Sequence, residues 1–125
     1  MRCTFKKQEK LKKSKLISRL FIEGKSLTVF PIKLVYLETK HQSPYKIQAG
    51  VSASKRNFKK AVDRIRIKRL LREAYRKNKH SIYNSEQINK HILMFIYLGN
   101  KELEYEEIEG KMQKIIHKFI KKQTL

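Results

Sequence analysis

The run HILMFIYL, residues 91–98, is apolar at its odd and its even positions alike. Successive side chains of a strand point to opposite faces of a sheet, so a strand is apolar throughout when both of its faces are buried. The run therefore predicts the central strand of a sheet. Gly99 and Asn100 follow it and predict a turn.

Two earlier segments alternate between the two faces of a strand. In residues 28–37, Pro31 indicates an edge strand or a bulge, because proline donates no hydrogen bond to a ladder. In residues 45–54, the even positions are small or polar. An RNA backbone could approach that face closely, but a solvated sheet face has the same pattern. The positions predicted to face the core are Phe30, Ile32, Leu34 and Tyr36, followed by Tyr45, Ile47, Ala49, Val51 and Ala53.

Apolar residues recur at the spacing of a helix near both ends of the chain. A first helix is predicted to begin at Ser14, a good N-cap residue, and to stop at Gly24, a good residue after a helix. A last helix covers about residues 104–122, with glutamates near its start and lysines near its end, as the helix dipole favours. The apolar positions of the first helix are Leu16 and Leu20 and, one row further round, Ile17 and Phe21.

A chain of 125 residues with 40% apolar content can build one modest core. We expect residues 1–13 to form a loosely held basic arm and residues 14–125 to form a single domain. Cys3 is the only cysteine, which excludes an internal disulfide. No run reaches the roughly 18 apolar residues of a membrane span, and the N-terminus lacks the apolar core of a signal peptide. We therefore expect a cytoplasmic protein that does not associate with a membrane. We also expect no obligate protein partner.

The most basic segment is Lys55–Lys79, in which 12 Lys and Arg oppose Asp63 and Glu73, giving +10 of the chain's net +20. As a helix it has an apolar stripe on one side and cations on the other, a surface suited to nucleic acid. Glu73 is predicted to pair with Arg69 or Lys77 at i±4. The stripe is Ile67, Leu70, Leu71 and Ala74, and the cationic side is Lys68, Arg69, Arg72 and Arg76.

The residues show no catalytic arrangement. A nuclease acting alone needs clustered carboxylates for a divalent metal, or a histidine acid–base pair. Asp63 and Glu73 lie about 15 Å apart along one helix, too far to share a metal. The glutamates of residues 102–109 are typical of a solvated helix start, and the four histidines lack ligand spacing. The chain is predicted to bind rather than to catalyse.

Two motifs carry a family resemblance. Lys60–Ala74 reads KAVDRIRIKRLLREA and Gly50–Arg56 reads GVSASKR. They resemble the patterns A-V-x-R-N-R-x-K-R-x-x-R-E and G-[LV]-S-[VA]-S-[KR]-[KR] of the bacterial ribonuclease P protein component. Ile65 replaces the family's central Asn and cannot hydrogen-bond in its place, and Asn57–Lys59 is one residue longer than the family's turn. In element order the resemblance covers about residues 5–120.

The resemblance implies a fold. It is a single compact α+β domain with element order αβββαβα, similar to the second domain of ribosomal protein S5. The basic helix lies in a left-handed βαβ crossover, a rare handedness that the residue pattern does not indicate. The residue pattern gives three strands, and the fourth is expected within residues 26–37.

The resemblance also implies a function. The chain would be the protein subunit of ribonuclease P, which matures the 5′ end of precursor tRNA, and its partners would be ribonuclease P RNA and precursor tRNA. In that family the RNA is the catalyst, so no residue of this chain is assigned a catalytic role. A loop region of the family can hold a metal ion, but no metal ligand is assigned here, and Mg²⁺ is expected to act mainly through the RNA.

Two binding surfaces follow from the resemblance. The basic helix faces the RNA subunit, and a cleft between the first helix and the sheet receives the single-stranded 5′ leader. Ile17 stands where relatives often have an aromatic residue, and a strand position of the cleft falls between Val35 and Tyr36, of which strand phase favours Val35. The RNA-subunit surface is Lys55, Arg56, Arg64, Arg66, Lys68, Arg69 and Arg72, and the leader cleft is Ile17, Phe21, Lys33, Val35 and Ser52.

Three alternatives stay open at this point. In the first, Phe21 packs in the core and not in a cleft, as apolar residues at helical spacing commonly do. In the second, the chain is a ribosomal protein or an RNA chaperone, which would use the same basic helix without activating a catalytic RNA. In the third, the chain is a stand-alone ribonuclease, which would require a metal site that the sequence does not show.

Overall fold

The computed structural model describes residues 5–41, 43–86 and 88–123. A short 3₁₀ turn, Lys7–Glu9, precedes the first helix. The helices are α1 (Ser14–Glu23), α2 (Ala61–Asn78), α3 (His80–Tyr83) and α4 (Tyr105–Gln123). The strands are β1 (Lys25–Val29), β2 (Ile32–Glu38), β3 (Ile47–Ala53) and β4 (His91–Tyr97). The expected αβββαβα order is therefore present, with the single turn α3 added after α2.

β4 is the central strand of the sheet, as its sequence predicts. The strand order is β1-β2-β4-β3, with β4 antiparallel to β2 and parallel to β3. All of its residues except Ile96 are buried, because α2 and α4 cover one face of the sheet and α1 covers part of the other. The β3–α2–β4 segment is the expected βαβ unit, and its handedness stays a prediction.

The single strand predicted over residues 28–37 is wrong at Phe30. β1 and β2 form an antiparallel hairpin in which Val29 pairs with Ile32, so Phe30 and Pro31 form its turn. Phe30 is 66% exposed and does not face the core. Pro31 marks the end of one strand, because it has no N–H to continue the ladder. The fourth strand implied by the family resemblance is β1.

The sheet has two apolar faces, and the predicted alternation within β2 and β3 separates them correctly. The larger core lies against α2 and α4, and a smaller cluster lies beneath α1. Buried in the larger core are Ile32, Leu34 and Tyr36 of β2 and Ile47, Ala49 and Ala53 of β3. The smaller cluster contains Leu11, Leu20, Val35, Ile92 and Met94.

Residues 5–13 are packed on the domain, so the prediction of a loosely held arm is wrong for them; residues 1–4 lie outside the described residues. Lys10 forms a β-bridge with Ala49, and the Leu11 N–H donates to the Ala49 carbonyl over 2.9 Å. Glu9 and Leu11 are 2% and 6% exposed. The many lysines of this segment suggested a loosely held arm, but most of them are exposed, and Glu9 and Leu11 between them pack against the domain.

α1 ends where the sequence predicts, but Ser14 and Gly24 do not have the capping roles that the sequence suggested. Ser14 is the first helical residue and not the N-cap, which is Lys13 and makes no side-chain cap hydrogen bond. Gly24 has φ of −72°, so it is not required for a left-handed conformation. A Cβ at Gly24 would lie 2.3 Å from the Leu20 carbonyl oxygen and 3.1 Å from Val35 Cγ1. Glycine is needed there because a Cβ would overlap the Leu20 carbonyl oxygen in the last turn of α1 and would also crowd β2.

A buried ion pair joins the N-terminal segment to the end of α2. Lys79 Nζ donates to Glu9 Oε2, and the two side chains are 4% and 3% exposed. The Glu9 carboxylate also accepts hydrogen bonds from the Tyr83 hydroxyl at 3.0 Å and from the Lys6 backbone N–H at 3.2 Å. Burial, together with the Glu9 charge, raises the pKa of Tyr83 far above its ordinary value. The buried carboxylate of Glu9 thus has three hydrogen-bond donors.

We predict that Lys79→Met lowers the free energy of unfolding by about 3–5 kcal/mol, because it leaves the Glu9 carboxylate buried beside fewer donors. Arg19→Met is the matched control. Its pair with Glu23 is about half exposed on both sides, so the loss there should not exceed about 1 kcal/mol. Urea unfolding of both variants measures the difference, and equal losses would contradict a structural role for the buried pair.

Candidate nucleic-acid interface

α2 presents cations on the side that does not pack on the sheet. Its buried residues are Ile67, Leu71, Ala74 and Tyr75, which confirms the predicted apolar stripe apart from Leu70, which is half-buried. Arg69 and Arg72 are exposed and Lys68 is half-buried. Lys55 and Arg56 are exposed in the loop between β3 and α2. Within the described ranges, these five cations have no hydrogen bond or ion pair.

Arg64 and Arg66, also predicted to contact RNA, are engaged within the protein. Arg64 Nη1 donates to the carbonyls of Phe58 and Lys59, at 2.8 and 3.0 Å, and so holds the loop that leads into α2. Arg66 Nη1 donates to Glu102 Oε2 at 2.9 Å. That hydrogen bond, with the charge of Glu102, raises the pKa of Arg66. The structure therefore separates these two arginines from the five cations without partners.

Glu73 pairs with Arg76 at i+3, so the prediction of a pair with Arg69 or Lys77 is wrong. Hydrogen bonding to the Arg76 guanidinium lowers the pKa of Glu73. Arg76 thereby loses the free charge that its place on the cationic side suggests. Arg69 stays unpaired among the described residues, which leaves it at the centre of the cationic side.

The predicted leader cleft lies on the second face of the sheet, next to α1. The strand register places Lys33, Ile96 and Ser52 in one row across β2, β4 and β3. All three are half-buried, in contrast to the next row, where Val35 is 6% exposed beneath the end of α1. The second face is therefore closed at Val35 and open at Ile96. We call this open row, together with the Phe21 side chain of α1, the α1 groove.

The structure gives the predicted cleft residues different environments. Phe21 is 53% exposed, so the alternative that it packs in the core is wrong. Ile17 is half-buried against the cluster beneath α1. Val35 faces α1 and Tyr36 faces the larger core, so the choice of Val35 by strand phase has the correct face. Val35 is nevertheless buried and has little surface for a ligand.

The described residues contain no group of three His, Cys, Asp or Glu side chains close enough to hold a metal ion. No residue is therefore assigned to a metal ion. Over the same ranges, none of the helices has both the length and the apolar character needed to cross a membrane.

Two features of the interface were missed by sequence reasoning. The pair between Arg66 and Glu102 joins residues 36 positions apart, and the glutamates near Glu102 read only as a solvated helix start. The exposure of Phe30 carried a signal, because Pro31 follows it and proline commonly marks a turn. An interpretation that gave Pro31 more weight than the alternation would have found the exposed ring.

The fold and the cationic side of α2 define a small basic α+β domain suited to binding a polyanion. The sequence model of the ribonuclease P family matches residues 5–120. The ribonuclease P protein component of Porphyromonas gingivalis is 38% identical over 112 residues, which cover 86% of this chain and 80% of that protein. The corresponding protein of Chlorobium phaeobacteroides is 32% identical over 127 residues, covering 91% and 86% of the two chains.

Solved structures show the same fold. The Staphylococcus aureus RNase P protein aligns with a TM-score of 0.69 at 20% identity, covering 89% of this chain and 94% of that one. The Thermotoga maritima RNase P protein aligns with a TM-score of 0.62 at 21% identity, covering 91% and 96%. The chain belongs to the bacterial ribonuclease P protein component family, whose members are accessory subunits of an endoribonuclease that processes tRNA. The ribosomal-protein and chaperone alternatives are not favoured.

We predict that Ile65→Asn, which restores the family's residue at this position, changes the free energy of unfolding by no more than about 0.5 kcal/mol, because Ile65 is 54% exposed. Ile67→Asn is the matched control two residues along the same helix. Ile67 is fully buried, so its amide would be placed in an apolar core at a cost of about 3 kcal/mol. Thermal unfolding of both variants tests the helical phase, which a large loss for Ile65→Asn would contradict.

Proposed function

We propose that the five cations without partners bind the RNA subunit of ribonuclease P, while the α1 groove binds the single-stranded 5′ leader of precursor tRNA. The observation that carries this proposal is the separation of charge on α2. Lys68, Arg69 and Arg72, with Lys55 and Arg56 before the helix, face solvent without a partner among the described residues. Exposed Lys and Arg on one helix face neutralise phosphates and release counterions, which supplies most of the affinity of such proteins for RNA.

Arg64 and Arg66 have supporting roles in this proposal. Arg64 fixes the loop that carries Lys55 and Arg56, through its bonds to the Phe58 and Lys59 carbonyls. Arg66 is already neutralised by Glu102 and lies 3.9 Å from Asp63. A phosphate at Arg66 would have to displace or repel these carboxylates, so we assign the phosphate contacts mainly to the other five cations.

In the same proposal, cleavage of the precursor is carried out by the RNA subunit. The acidic groups along α2 support this view because they are engaged in ion pairs, Glu73 with Arg76 and Asp63 with Arg66. The described residues supply no set of metal ligands, and Mg²⁺ is proposed to act mainly through the RNA. The protein would act in the cytoplasm, where tRNA precursors are made, and no obligate protein partner is proposed.

The α1 groove has the chemistry that single-stranded RNA requires. Such sites combine cations that follow the backbone with aromatic rings that stack on bases. Phe21 presents an exposed ring on α1, and Lys33 lies in the open row of the sheet. Arg19 is less available, because it bonds to Glu23 at 2.8 Å and to Thr39 at 3.0 Å. Phe21 is therefore the proposed stacking residue, and Lys33 the proposed phosphate contact.

We predict that affinity for ribonuclease P RNA falls steeply with salt and that Arg69→Ala reduces the slope of log K against log salt by about one unit. Arg66→Ala should reduce it less, because Glu102 already neutralises that charge. Lys118→Ala is the control, since Lys118 lies on the nearly neutral C-terminal third of the chain. Unchanged slopes for Arg69→Ala, Arg72→Ala and Lys68→Ala together would reject the assignment.

We predict that Phe21→Ala weakens binding of leader-bearing precursor tRNA about 10- to 100-fold, the value of one lost base stack. Binding of mature tRNA and of the RNA subunit should be unchanged, because neither presents a 5′ leader. Titrations of the reconstituted holoenzyme with precursor and mature tRNA, and of the free protein with the RNA subunit, provide the comparison. Equal weakening toward all three ligands would show that Phe21 has a structural role.

A further inference from the structure

Phe30 is an exposed ring that neither the fold nor the α1 groove explains. It is 66% exposed, and Phe21 is the other exposed aromatic residue in the described part of the chain. Leu98, immediately after β4, is 37% exposed and lies at the same end of the sheet. The exposure of Phe30 and Leu98 at this end of the sheet requires a reason, since burying these two apolar side chains would stabilise the protein.

Phe30 is held in place by a firm local structure. The Leu98 N–H donates to the Pro31 carbonyl over 2.7 Å, which extends the pairing of β2 with β4 into the hairpin turn. Asn57 Nδ2 donates to the Leu98 carbonyl at 2.9 Å. These two bonds connect the turn of Phe30 to Leu98, and Leu98 to the loop that carries Lys55 and Arg56. The ring is therefore exposed on a turn that hydrogen bonds tie, through Leu98, to the loop of these two cations.

The α1 groove leads to this turn. Met94, Ile96 and Leu98 alternate along one face of β4, and their exposure increases from 7% at Met94, beneath α1, to 37% at Leu98. Leu98 follows Met94 by four positions, a distance of about 13 Å in extended backbone. Lys33 flanks this strip on β2, and Ser52 flanks it on β3. The strip is thus an apolar path with polar sides from the end of α1 to Phe30.

We propose that Phe30, with Leu98 beside it, is a second base-stacking site for an unpaired nucleotide of the 5′ leader, beyond the one at Phe21. This inference rests on the proposed function of the α1 groove. The occupant is a nucleotide because cations are available on both elements that meet at this turn: Lys33 on β2, just after the turn, and Lys55 and Arg56 in the loop that Asn57 ties to Leu98. These cations could neutralise the phosphates of a strand whose base stacks on the exposed ring. Cationic surroundings with an aromatic face bind bases of any sequence.

The test uses the reconstituted holoenzyme and three ligands: precursor tRNA with a long oligoadenylate leader, precursor with a leader of one nucleotide, and mature tRNA. Phe30→Ala should weaken the long-leader precursor about tenfold and leave the other two ligands unchanged. Phe30→Tyr should retain wild-type affinity because it keeps the ring. Ile22→Ala is the matched control, since Ile22 is an 82% exposed apolar residue on α1, and it should bind like wild type.

A second measurement does not depend on the stability of the alanine variant. The chain contains no tryptophan, so Phe30→Trp introduces a single fluorophore at the proposed site. The long-leader precursor should quench its fluorescence, and mature tRNA should not. Absence of quenching, or quenching by mature tRNA as well, would overturn the proposal.

The same experiments separate this inference from the proposed function beneath it. A wild-type holoenzyme that binds long-leader precursor no better than mature tRNA would reject leader binding altogether. A wild-type preference that Phe30→Ala leaves intact would reject only the second stacking site. Equal weakening of all three ligands by Phe30→Ala would also reject it, because the ring would then act outside the leader path.

Discussion

The structure depends on a central strand that is buried on both faces. β4 pairs with β2 on one side and β3 on the other, and its apolar side chains require cover above and below the sheet. α2 and α4, of 18 and 19 residues, cover one face. The other face has the shorter helix α1, of 10 residues, which leaves Val35 buried and the row of Ile96 partly exposed. The uncovered remainder is the α1 groove.

The same arrangement determines which lysine and arginine side chains are exposed and which are paired. A net charge of +20 on 125 residues opposes compaction through self-repulsion and favours a polyanionic partner. Among the residues that the structure describes, Lys79 is the buried lysine or arginine, and it is paired with Glu9, a carboxylate that has further donors. Glu102 and Glu73 neutralise Arg66 and Arg76 beside α2. The cations of α2 and of the loop before it that have no partner among the described residues are then those with the most to gain from phosphate.

Much of the fold could be predicted from local pattern, because periodicity reports the direction of neighbouring side chains. The two faces of β2 and β3, the burial of β4 and the apolar stripe of α2 follow from alternation and helical spacing. The errors arose where a distant residue decides the outcome. Glu9 is buried because Lys79 reaches it from 70 residues away, and Arg66 is neutralised by Glu102 from another element. Phe30 is different, since Pro31 beside it was a local signal of the turn.

The candidate site was predictable in part for the same reason. The cationic side of α2 is a local property, and the motifs between Gly50 and Ala74 carried the family resemblance. Which of the cations are free depends on tertiary pairing, so seven positions read as equivalent in sequence and divide into five and two in the structure. The division between a buried Val35 and an open Ile96 depends on where α1 lies on the sheet, which is a tertiary property that local pattern does not report.

The central claim is that this protein assists an RNA that performs the cleavage. The most direct measurement incubates precursor tRNA at limiting Mg²⁺ with the protein alone, with ribonuclease P RNA alone and with both. The account predicts correct 5′-end cleavage only when both are present. Cleavage by the protein alone, or cleavage by the RNA that the protein leaves unchanged, would contradict it.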